Sequence, residues 1–132
     1  MTEQEVMQFF CDRQGLESIE GKGQVKFCLF RPADTDKLKK IVGWAAVVIK
    51  KHNHNTFDEV MLDLLTFEDG IRSANLTGIP FFVVVSYTDG IYFAEYDGKI
   101  RMNINVKHGV IGEDPEPKTY AFLQRYDFGP IT

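Results

Sequence analysis

The sequence predicts a mixed α/β domain, a mixed β-sheet flanked by helices, and three observations carry that prediction. Two apolar, β-prone runs, Gly43 to Lys51 (GWAAVVIKK) and Phe81 to Ser86 (FFVVVS), have the make-up of buried strands. Between them lies a segment of helical periodicity with a stop glycine, the pattern of a crossover joining two parallel strands. Asp89-Gly90 and Asp97-Gly98 then mark tight turns, so the strands after the crossover are expected to pair antiparallel. At 132 residues, 44% hydrophobic and 13% aromatic, the chain suits one domain, residues 1–132, with a well-packed core.

Taken in order, Thr2-Glu3-Gln4-Glu5 is a capping box that opens a helix over 3–14, with Val6, Phe9 and Phe10 at helical spacing and Gly15 as its stop. Gly21 and Gly23 bracket a turn. Val25 to Arg31 alternates as a strand does, and Pro32 ends it. Asp34 to Lys40 is a charged connection into the central strand, Ile41 to Lys50. Thr56 to Leu65 is ambiguous: Thr56 and Glu59 match a second capping box, whereas Val60 to Leu62 suits a short edge strand. The expectation is a loop with a short irregular element. Thr66 and Asp69 are expected to cap a helix with Phe67, Ile71 and Ala74 on one face and Gly78 past its end. Ile91 to Tyr96 is the return strand and Lys99 to Val106 the next. Residues 107–119, holding Gly109, Gly112, Pro115 and Pro117, read as a loop, and Tyr120 to Tyr126 as a last strand.

A net charge of −4 weighs against a general nucleic-acid binder, whose affinity comes largely from neutralising phosphate. It does not exclude a nuclease, whose metal-binding carboxylates add negative charge. No apolar run is long enough for a membrane span, and the polar start MTEQEVMQ does not suit a signal peptide. Cys11 and Cys28 lack metal-type spacing and suit packed, reduced thiols in a cytoplasmic protein. Phosphate-cradling glycine loops and a nucleophile elbow are lacking.

The chemistry concentrates at Lys50-Lys51-His52-Asn53-His54. A lysine pair closing a core strand either snorkels to solvent or stands where charge is needed. Residues two apart on a strand share a face, so position 48 and Lys50 point the same way. His52 and His54 lack the third ligand that a transition metal would need nearby in sequence.

From Ala46 to Tyr96 the order strand, Ile-Lys-Lys-His, loop, helix, Thr-Gly-Ile-Pro, strand, Thr-Asp-Gly, strand resembles the PD-(D/E)xK nuclease superfamily, in particular its small phage-type members. The resemblance implies a restriction-endonuclease-like domain and metal-dependent cleavage of DNA. It implies Asp36 as leading metal ligand (Asp34 competes), Lys50 as the motif lysine, and Glu5 or Glu3 as an assisting acid on the first helix. Where the family's motif has an acid two residues before the lysine, this chain has Val48, and Thr66 stands where many members have a further lysine. Two readings follow. In one, a carboxylate has moved to Asp58, Glu59 or Asp63, so that Asp36 and Glu59 hold Mg2+ or Mn2+ and Lys50, Lys51 and His52 meet DNA phosphate. In the other, the site is silent and the fold serves as an interaction or assembly module, expected as a homodimer.

Overall fold

The computed structural model describes residues 1–20, 27–31, 40–96, 104–109 and 118–131, with the side chains of 104–109 and 118 left aside. The described residues form helices α1 (Glu3–Gln14) and α2 (Leu64–Thr77), a 3-10 turn (Arg125–Asp127) and nine strands. The strands are β1 (Glu17–Glu20), β2 (Phe27–Phe30), β3 (Ile41–Ile49), β4 (Glu59–Asp63), β5 (Phe81–Tyr87), β6 (Gly90–Tyr96), β7 (Ile104–Gly109), β8 (Lys118–Gln124) and β9 (Gly129–Pro130). They make a six-stranded sheet in the order β1-β2-β3-β5-β6-β9 and a three-stranded sheet in the order β4-β8-β7.

The crossover expected from the sequence is present. β3 and β5 are parallel neighbours, with Trp44 opposite Phe81 and Val48 opposite Val85, and α2 lies between them in the chain. β1, β2 and β3 pair antiparallel, as do β5 and β6 across the Thr88-Asp89 turn. Strand alternation divides the core between the sheet's two faces. On one face Ala45, Val47 and Val84 pack against Val6, Met7, Phe10 and Cys11 of α1. On the other, Ala46, Val83 and Val85 pack against Phe67 and Ala74 of α2, Val60 and Leu62 of β4, and Ala121 and Leu123 of β8. This two-sided cover is why β5 runs apolar from Phe81 to Val85.

Local chemistry explains the helix ends. Thr2 and Glu5 form both bonds of the capping box, and Asp63 caps α2 by accepting from Leu65 N and Thr66 N. Gly15 and Gly78 end the two helices at φ 67° and 70°, in the left-handed region that suits glycine. Within α2, Gly70 sits directly over the ring of the fully buried Phe81, leaving no room for a side chain.

Several sequence expectations need correction. Residues 59–63, expected as an irregular element, form β4, because β8 supplies an antiparallel partner from Glu59↔Gln124 to Asp63↔Tyr120. α2 starts at Leu64 with Asp63 as its cap, ahead of the Thr66/Asp69 pattern. The described part of the strand expected over 99–106, β7, pairs with β8 in the second sheet, and it includes residues 107–109, which the sequence reads as loop. β8 ends at Gln124, and residues 125–127 turn as a 3-10 helix. β1 was not anticipated. The Gly21/Gly23 turn, Pro32, the Asp97-Gly98 turn and most of the 107–119 segment lie outside the described residues. No helix among the described residues is long and apolar enough to cross a membrane.

Candidate functional site

The parallel strands β3 and β5 end side by side, and the 50–58 segment after β3 meets the β5–β6 turn there. Lys50 N donates to Ser86 O at 2.8 Å, extending the ladder one residue past β3. Thr88 N donates to His52 O at 3.1 Å, and Thr88 Oγ1 donates to Asn53 Oδ1. His54 is held twice by Asp89: its backbone N–H reaches Oδ1 at 2.9 Å, and its ring Nδ1 lies 2.5 Å from Oδ2. A carboxylate only accepts, so Nδ1 carries the proton and Nε2 is left as the ring's other nitrogen. The hydrogen bond from the His54 ring is the main cause holding the Asp89 carboxyl below its ordinary value. The His54 ring stacks on Tyr92, with centroids 4.6 Å apart and an 18° interplanar angle.

Beside this pinned segment lies a pocket of about 420 Å³ lined by Lys50, His52, Phe57, Asp58, Glu59, Met61 and Phe122. Its floor comes from the second sheet, where Met61 and Phe122 are opposite one another. Phe57 is 59% exposed, and the His52 ring meets it edge-on at 4.7 Å. Lys50 reaches the pocket from the end of β3, and its Nζ donates to Met61 O at 3.3 Å. β4 is an edge strand, so this bond gives a partner to one of its edge carbonyls. Burial pushes the Lys50 ammonium below the ordinary lysine pKa, because desolvation disfavours the charged form.

The residues that the sequence singled out do not all come together. Lys50, His52 and Glu59 line one pocket, with Asp58 beside them. Lys51 is exposed on the same segment. Glu5 does not join them: α1 packs on the opposite face of the sheet from the Ala46–Val48 row, and the Glu5 carboxylate accepts from Thr2 N at 3.0 Å. That bond is the first cause of its lowered pKa. Asp63, a candidate relocated ligand, is committed to capping α2. Asp36 and Asp34 lie outside the described residues. Lys40, the first described residue after them, precedes β3, whereas Lys50 follows it, and nine strand residues span about 30 Å. Val48 is packed against the core on the α2 face.

The described donors do not fit a magnesium or manganese ion at the Val48–Lys50 face. The side chain at position 48 is aliphatic and packed, and the neighbouring cation is turned into a main-chain carbonyl. Among the described residues no three His, Cys, Asp or Glu side chains come together as a metal-holding group. The His54–Asp89 pair escaped sequence reasoning because its members are 35 positions apart; the Thr88-Asp89-Gly90 turn signal placed the loop but not its partner. The chain is a mixed α/β protein with a pocket at the ends of its parallel strands. Set against protein-family models, curated proteins and solved structures, the chain matches none.

Proposed function

We propose that the chain is a restriction-endonuclease-like domain whose nuclease site is silent and which works as a protein-interaction or assembly module. The fold part of this reading is supported by the parallel β3–α2–β5 unit with its β6 return strand, the order that the sequence resemblance implied. The functional part is carried by one observation: Val48, at the position where the family's motif has a metal-binding acid, is part of the packing under α2. DNA contact is disfavoured as well. Lys50 is turned inward to Met61 O, and the carboxylates of Asp58 and Glu59 stand at the same pocket, where they would repel phosphate. The exposed Phe57 at this pocket suits a protein partner better, aromatic side chains being enriched at such surfaces.

A second reading keeps catalysis, with Asp58 and Glu59 as relocated carboxylates near Lys50; their shared pocket favours it. A plasmid-nicking assay in Mg2+ and in Mn2+ separates the two. The silent module gives no cleavage in either ion. Metal-dependent nicking that is lost in both Lys50→Ala and Glu59→Ala would overturn it in favour of the second reading.

A further inference from the structure

A pocket of about 420 Å³ falls within the size range of sites that enclose small molecules, which are mostly apolar with a few placed polar groups. Here Phe57, Met61, Phe122 and the His52 ring supply apolar and aromatic walls, and Asp58 and Glu59 line the same pocket with Lys50, its one amine. Lys50 Nζ donates a hydrogen bond to Met61 O at 3.3 Å. We propose that Lys50 is a reactive amine and that this pocket takes small aromatic aldehydes or ketones, which it binds as an imine.

The step balances without an oxidant or a metal. The Nζ lone pair attacks the carbonyl carbon and the C–N bond forms. The carbonyl oxygen takes up one Nζ proton, giving a carbinolamine. The C–O bond then breaks as C=N forms, and the oxygen leaves as water with the second Nζ proton. Attack requires neutral nitrogen, and burial favours that form at Lys50. Flat aromatic carbonyl compounds match the walls because rings pack well against Phe, His and Met side chains. The inference rests on this pocket and not on nuclease ancestry.

The test is reductive labelling of the full chain with benzaldehyde and cyanoborohydride at neutral pH, with each lysine followed by peptide mass mapping. Lys50 is expected to acquire a benzyl group several-fold faster than the more exposed Lys51, and to lose that lead when the chain is unfolded in denaturant. Phe57→Ala, a change at an exposed side chain, is expected to slow benzylation of Lys50 while leaving its methylation by formaldehyde unchanged. Labelling rates that simply follow exposure, with Lys50 no faster than Lys51, would overturn the proposal. Equal effects of Phe57→Ala on both aldehydes would overturn the assignment of aromatic ligands.

Discussion

On one face of the six-stranded sheet a single helix, α1, covers Ala45, Val47 and Val84; on the other, α2 and a second sheet cover Ala46, Val83 and Val85. Over its centre the α1 face is closed by aromatic packing, and a pocket lined by Leu16, Val42 and Phe82 opens beside the start of β3. Phe10 touches the rings of Phe82 and Phe93, with centroids at 5.4 and 5.5 Å. The α2 face starts as tightly, with Gly70 against Phe81, but its cover changes along β3. Past Val48 the row continues into Lys50, and there the second sheet leaves a pocket. The same strand thus serves aromatic packing on one side and a half-buried amine on the other.

The strongest way to break this comparison is Phe10→Ala. Removing a fully buried ring from the α1 face should cost about 4 kcal/mol in denaturant unfolding, while benzylation of Lys50 in the folded fraction stays unchanged. A change in Lys50 labelling would show that the faces are coupled. Gly70→Ala should cost about 3 kcal/mol, since the new methyl drives the buried Phe81 ring out of place. A thermal shift within error of wild type would mean that α2 sits further from β5. Asp63→Ala removes the α2 cap and should cost about 1 kcal/mol, read as a lower urea midpoint at unchanged slope.

The smallest effect carries the sign that distinguishes the pocket. The folded-state pKa of Lys50 lies below its unfolded value, so between the two values the unfolded chain binds more protons and stability rises with pH. Below that window the cost of burying the charge is present in full. Lys50→Met should therefore leave stability equal or raise it, by no more than about 1 kcal/mol, at neutral pH. The gain should shrink as pH rises towards the ordinary lysine value of 10.5. Parallel unfolding curves of the two proteins from pH 7 upward check this, and a gain that grows with pH would contradict it.

Elements made by local rules were legible in the sequence. The Thr2/Glu5 box and Gly15 bound α1, and the uninterrupted apolar runs of β3 and β5 follow from burial on both sides. What escaped depends on distant partners. β4 is a strand because β8, some 60 positions away, pairs with it; locally, Thr56 and Glu59 argue for a helix start just as well. β1 has only Ile19 as an apolar residue in Glu17–Glu20, too little for an alternation signal. The start of α2 was misplaced because Asp63 and Thr66 are both competent caps, and the strand before the helix decides between them. For the site, strand alternation correctly put position 48 and Lys50 on one face. It could not show that α1, carrying Glu5, lies across the sheet, since the side on which a helix packs is not written in residue spacing.

The described residues of the face shared by Val48 and Lys50 are packing and pocket and do not by themselves make a divalent-ion site. Titrating Mn2+ into isotope-labelled chain and following amide line broadening tests it residue by residue. No localised broadening is expected at Ala46 to Lys50 or at Asp58 to Met61. Saturable broadening centred on those two stretches, relieved by excess Mg2+, would contradict it.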